Sequence, residues 1–181
     1  DHFQATAFPA QAMGRPTLGT EESVRAMPRE ALSGWLSRFY GPANMIVAAA
    51  GNIAHEQLLA LVEKHFSALP AVQPATQDSG TYQGGEHREE RDLDQTHIVL
   101  GFPGVQYRDA DYWAASQLST LLGGGMSSRL CQEVREKRGL CYSVSASLQT
   151  QRERASVMCY AGTTSERAQE TLDVTYSELI R

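Results

Sequence analysis

The run Leu121 to Tyr142, LLGGGMSSRLCQEVREKRGLCY, sets three consecutive glycines between two helical patterns and closes on an arginine-rich turn and a tyrosine. Glycine has no Cβ, tolerates positive φ and lets a second backbone approach closely. A loop of this kind, followed by Arg and Tyr at set positions, is suited to lying against another chain. Gly123, Gly124 and Gly125 also lead toward a helix N-terminus, where anions bind. A nucleotide loop, however, follows a strand and carries GK[ST] or GxGxxG, and neither is present here. A plain helix–helix connection remains the alternative.

The residues that bind metals or act as nucleophiles give no pattern of their own. His2, His55, His65, His87 and His97 contain no HxxxH or HxxEH pair, the usual sign of two ligands one helical turn apart. No GxSxG elbow occurs. Cys131, Cys141 and Cys159 are odd in number and form no CxxC, so they read as small buried hydrophobes and favour a reducing compartment. No metal ligand and no self-contained active site are expected.

Amphipathic elements must position whatever the glycine run does. From Pro28, apolar residues Ala31, Leu32, Trp35, Leu36, Phe39 and Tyr40 recur at helical spacing and predict a helix that buries one stripe. Met45 to Ala50 reads as a buried strand, and His55 to Phe66 as a second amphipathic helix. Residues 71–85 carry the Pro/Gly composition of a linker. Beyond it, Gln95–Phe102 predicts a strand and Asp109–Leu122 a helix opened by an Asp cap. Ser127 would cap a helix running to about Lys137. Strands over Tyr142–Leu148 and Ala155–Ala161 would form a hairpin turning at Gln151–Arg154. Thr163-x-x-Glu166 matches a capping box for a last helix burying Ala168, Leu172, Tyr176 and Leu179. The mixture predicts an α+β fold, a mostly antiparallel sheet with helices packed on it.

The 181 residues, 41% hydrophobic and 20% charged, suffice for one good core or two small ones. A formal charge of −5 argues against nucleic acid or an anionic membrane as a partner gripped by bulk charge. No apolar stretch approaches the roughly 20 residues that cross a bilayer.

Three stretches carry a family resemblance: FPAQAMGRPTLGTEESV at 8–24, YGPANMIVAAAGNIAHEQLLALVEKHFSALP at 40–70, and QTHIVLGFPGVQYRDADYWAASQLSTLLGGGMSSRLCQEVREKRGLCYSV at 95–144. They resemble the pitrilysin/insulinase-type zinc metallopeptidases, most closely the bacterial branch similar to mitochondrial processing peptidase. The resemblance implies two homologous α+β domains. Residues 1–70 would close the first, 71–85 would link them, and 86–181 would open the second, substrate-handling one.

It also implies zinc in a full-length parent, held by an inverted HxxEH helix and a later Glu, all upstream of this chain. The parent would be a zinc metalloendopeptidase that cleaves extended peptides or presequences, and this segment alone would be inactive. Arg135 and Tyr142 match the family's Arg/Tyr pair that binds substrate backbone and supports the charged intermediate, and Gly123–Gly125 match its glycine-rich loop. The alternative is a non-catalytic peptide-binding subunit or structural paralogue of a peptidase heterodimer. Expected partners are a peptide and the missing catalytic segment or a companion subunit. Unpaired sheet edges further predict a homodimer or strand-exchanged oligomer. The resemblance places the parent in a bacterial cytoplasm or the mitochondrial matrix.

Overall fold

The computed structural model describes residues 1–72, 74, 80–152 and 154–181. In chain order it contains α1 (His2–Ala7), α2 (Glu21–Arg25), α3 (Arg29–Phe39), α4 (His55–Phe66), β1 (Thr96–Pro103), α5 (Tyr112–Gly123), a π-helical turn (Cys131–Glu136), β2 (Ser143–Thr150), β3 (Ala155–Thr163) and α6 (Ala168–Ile180). The predicted α+β architecture is present. Its contacts group Asp1–Thr17 with Asp78–Arg181 as one compact unit and leave Leu18–Gln77 as another. Within the 71–85 linker, residues 73 and 75–79 lie outside the described residues, as does residue 153 of the predicted hairpin turn.

In the larger unit β3 is the central strand of an antiparallel sheet ordered β1-β3-β2. Thr96 faces Thr163 and Pro103 faces Ser156 on one side. Ser143 faces Gly162 and Thr150 faces Ala155 on the other. Pro103, which has no N–H to donate, falls at the last position of an edge strand, where a proline is tolerated. The core gathers Leu130, Val134, Leu140, Cys141, Ala146 and Cys159, with Leu100, Leu122, Val144, Val174 and Leu179 packed around it. It therefore lies between the sheet, the π-helical turn, α5 and α6.

α6 departs from the sequence reading. Thr163 is the last residue of β3, and its hydroxyl donates to the Leu140 carbonyl at 2.5 Å instead of capping a helix. The helix begins at Ala168, after a short 3₁₀ turn at Ser165–Arg167. Its buried residues are Thr171, Thr175 and Glu178, whereas Tyr176 is exposed. Polar side chains are buried here because most bring partners. Thr171 donates to the Leu140 carbonyl, and Glu178 accepts from Arg129 Nε at 2.7 Å. A buried polar group that keeps its hydrogen bond avoids most of the desolvation penalty.

The smaller unit forms its helices where periodicity places them. Thr20 and Ser23 cap α2 reciprocally, each side-chain oxygen accepting the other residue's N–H, and α4 spans His55–Phe66 as predicted. The expected burial is absent. Leu32, Trp35, Leu36 and Tyr40 of the α3 stripe are about half exposed or more. Met45–Ala50 joins no strand ladder, and Ile46 is 96% exposed. A strand needs a partner to satisfy its backbone, and none of the described residues supplies one for this segment. Trp113 of α5 is likewise exposed.

Candidate functional site

Arg135 sits on the π-helical turn, one residue beyond fully buried Val134. The helix starts later than the predicted Ser127 cap. Ser128 opens it, its carbonyl accepting from the Gln132 N–H at 2.9 Å. The turn then widens: the Lys137 N–H donates to Gln132, five residues back, and the Leu140 N–H reaches the Val134 carbonyl. Such π turns occur mostly as single insertions, often where a functional side chain is presented. Gly139, at φ +61°, ends the helix in the left-handed region, and its N–H donates to the Arg135 carbonyl. Only glycine adopts that conformation without a steric cost.

From Gly139 the chain drops into the core through Leu140 and Cys141 and rises at Tyr142. The Leu140 carbonyl accepts from both Thr163 and Thr171, and Arg167 donates to the Gly139 carbonyl at 2.6 Å. The Tyr142 N–H donates to the Gly162 carbonyl at 2.8 Å, which fixes its backbone just before β2. The backbone is thus pinned at both ends, while the side chains are open. Tyr142 is 63% exposed, and its hydroxyl has no hydrogen-bond partner among the described residues.

The electrostatics leave Arg135 available. Glu133 takes Lys137 at 2.6 Å and Arg138 at 2.9 Å, which hold its carboxyl below the usual range. Arg135 keeps only a loose 3.6 Å contact with Glu136, an exposed pair of little energetic weight. Its charge reaches Cys141: burial pushes that thiol up, and the Arg135 guanidinium opposes the shift.

The three glycines play different structural parts. None adopts positive φ. Gly123 is buried in the last turn of α5, where a Cβ would fall 2.0 Å from the Ala146 nitrogen of β2. Gly124 caps α5 in a right-handed conformation. Gly125 has open space around it, and its carbonyl accepts from the Ser128 N–H. Gln132 Nε2 donates to the Met126 carbonyl at 2.9 Å, tying the glycine loop to the turn that carries Arg135.

Residues 26–181 match the peptidase M16 inactive domain. This chain belongs to the peptidase M16 family. As an M16 inactive domain it is 40% identical to a zinc protease of Mycobacterium leprae over 96% of its length. To the zinc protease YmxG of Bacillus subtilis it is 31% identical over its full length. The crystal structure of a peptidase M16 inactive domain from Pseudomonas fluorescens superposes with a TM-score of 0.84 at 26% identity, covering 98% of this chain and 44% of that one. A chain of complex III2 from Candida albicans, at 19% identity and a TM-score of 0.86, shares the fold. The M16 inactive domain described here spans 40% and 45% of the two bacterial proteases.

The Mycobacterium leprae and Bacillus subtilis relatives are named zinc proteases, which raises the question whether the residues present could hold the metal. Among the described residues the ligand types converge at His2, His87 and Glu89, all exposed. Three exposed surface side chains do not fit the catalytic zinc of a peptidase, which needs a shielded site with an open position and a general base beside it. No hydrolytic step is assigned to this chain. The cluster was illegible in the sequence because His2 lies far from the other two and no helical spacing links them. The three cysteines are free and buried, and burial pushes Cys159 up to about 11. No described helix is long and apolar enough to cross a membrane.

Proposed function

We propose that this domain is the substrate-handling, non-catalytic part of a zinc metalloendopeptidase, and that it holds an extended peptide against Arg135 and Tyr142. One observation carries the reading: two exposed donors with free bonding capacity stand at the ends of one backbone turn pinned into the core. A guanidinium and a phenol presented in this way can donate to a peptide carbonyl, and more strongly to the oxygen that becomes negative as the carbonyl is attacked. Pinning the backbone beforehand lowers the ordering cost of binding. The glycine loop, tied to the same turn through Gln132, would flank the peptide.

In this reading the zinc belongs to the rest of the parent protein, which cleaves extended peptides or presequences, and the parent works in a bacterial cytoplasm. The Mycobacterium leprae and Bacillus subtilis relatives are bacterial and lend no support to the mitochondrial matrix. The match to an inactive domain also favours a second reading, a non-catalytic subunit that presents peptide to a separate active chain. Zinc-binding residues encoded upstream of Asp1 would support the first reading, and their degradation the second.

Fluorescence anisotropy of labelled extended peptides tests the shared claim. Arg135→Lys and Tyr142→Phe should each weaken binding about tenfold, the value of one lost hydrogen bond to or from a charged or strongly polarised group, with thermal stability unchanged. Equal affinity for both variants and the unaltered chain would refute it.

A further inference from the structure

The backbone around residues 81–83 runs beside the N-terminal segment in the opposite sense. The Gln83 N–H donates to the Ala7 carbonyl at 2.9 Å, and Gln11 exchanges two hydrogen bonds with the Thr81 backbone, at 2.9 and 2.7 Å. Farther along the same segment, residues 87 and 89 lie beside the start of α1. There His2 stacks on His87 with ring centroids 4.6 Å apart and planes within 11°, and Glu89 Oε2 lies 3.3 Å from His2 Nε2 and 4.0 Å from His87 Nε2. We propose that His2, His87 and Glu89 form a surface site for a divalent transition-metal ion of the zinc type, which fastens α1 to the segment 86–91.

Geometry and donor chemistry both support the assignment. Zinc takes imidazole nitrogen and carboxylate oxygen at about 2.0–2.2 Å, so neighbouring ligand atoms of a tetrahedral site stand about 3.3 Å apart. The His2–Glu89 separation already has this value, and one ligand atom from each of the three residues lies within 4.8 Å of the others. Closing the remaining gap needs only rotation of imidazoles whose side chains are 63% and 45% exposed, a movement of low cost at a surface. Glu89 is prepared for the role. Arg91 binds its other oxygen, Oε1, through Nη2 at 2.6 Å and Nε at 2.8 Å, which orients the carboxylate and leaves Oε2 facing the imidazoles. An outer partner that fixes a ligand's orientation is a regular part of metal sites.

The assignment is independent of the peptide-handling reading. Three protein ligands in the open leave a fourth position to water, with no shielded cavity for a substrate. Its effect is structural: an ion that binds only the folded arrangement stabilises it by mass action.

The test uses the chelator-stripped chain with a short N-terminal extension, so that the α-amino group of Asp1 is not read as a ligand. Zn²⁺ is titrated by calorimetry, and Co²⁺ by visible absorption. The expected result is one site, Co²⁺ bands of a nitrogen/oxygen environment, and a higher melting temperature with Zn²⁺. His2→Ala, His87→Ala and Glu89→Gln should each weaken Zn²⁺ binding at least about tenfold, since even outer-sphere losses cost 10–100-fold. His55→Ala, with circular dichroism confirming that every variant is folded, should leave it unchanged. Undiminished Zn²⁺ binding in the His2→Ala/His87→Ala double variant, or intense near-ultraviolet thiolate bands with Co²⁺, would overturn the proposal.

Discussion

Replacing Gly123 by alanine should destabilise the domain, while the same change at Gly125 should not. The Gly123 Cβ would lie 2.0 Å from the Ala146 nitrogen and 2.7 Å from both the Ala146 Cβ and the Ser145 carbonyl carbon. These are mostly backbone atoms of β2, and Ala146 is held in register opposite Cys159 on the central strand, so α5 must lift from the sheet instead. Overpacking of this kind costs about 1–3 kcal/mol, and clashes with backbone on the scale seen here place it at the upper end. Alanine returns about 0.8–1.0 kcal/mol of helix propensity, leaving a net loss of about 2 kcal/mol. For a chain of this size that lowers the melting temperature by about 4–8 °C. At Gly125 a Cβ meets nothing within 4 Å and φ is not positive, so alanine should stabilise by about 0.4–1 kcal/mol through the unfolded state. Calorimetry or urea denaturation of the two variants measures both values. A Gly123→Ala protein within about 0.5 kcal/mol of the unaltered chain, or a Gly125→Ala protein less stable than Gly123→Ala, would refute this account of the loop. If Gly125→Ala is stable yet binds peptide more weakly, the open end of the loop is the part that serves substrate.

Glu178→Ala should cost about 2–4 kcal/mol in urea denaturation, because it removes a buried carboxylate bonded to Arg129 at 2.7 Å and strands the half-buried guanidinium. Glu178→Gln should cost less, since it keeps an acceptor. Burial raises the Cys159 thiol to about 11 from an ordinary value of 9.0. The folded state therefore holds this proton after the unfolded chain has lost it, and the resulting stability, full below pH 9, should drain away between pH 9 and 11. Cys159→Ala, compared at both pH values, should flatten that part of the profile, and an unchanged slope would contradict the assignment. The exposed stripe of Leu32, Trp35, Leu36 and Tyr40, together with Ile46, should drive self-association, so light scattering at rising concentration should show dimers or larger species. A monodisperse monomer would contradict this.

Legibility from the sequence follows how far each segment depends on the rest of the molecule. The three strands were readable because their short apolar runs are bounded by turns, and the structure shifts their limits by no more than two residues. α3 and α4 were readable from local periodicity, but their burial was not, because periodicity marks an apolar face without saying what covers it. Met45–Ala50 shows the same limit for a strand, whose ladder requires a second segment. Thr163 misled for a different reason: a Thr-x-x-Glu pattern straddles the end of β3, and the hydroxyl is used across the core by the Leu140 carbonyl. In α6 the apolar pattern pointed to Tyr176, while the buried face carries Thr171, Thr175 and Glu178; Thr171 bonds to Leu140 and Glu178 to Arg129, partners that no local pattern reveals. For the candidate site, the residue types and spacing of Arg135 and Tyr142 were visible. The π-helical turn and the left-handed Gly139 that present them emerge only from the hydrogen bonds.

The central claim is that this M16 inactive domain handles peptide without hydrolysing it. Its most direct test is hydrolysis of a quenched fluorescent peptide library by the purified 181-residue chain, with and without a zinc chelator. The account predicts no hydrolysis in either arm, while the same peptides bind and Arg135→Lys weakens that binding. Chelator-sensitive cleavage by the pure chain would contradict it and would place a catalytic metal within these 181 residues.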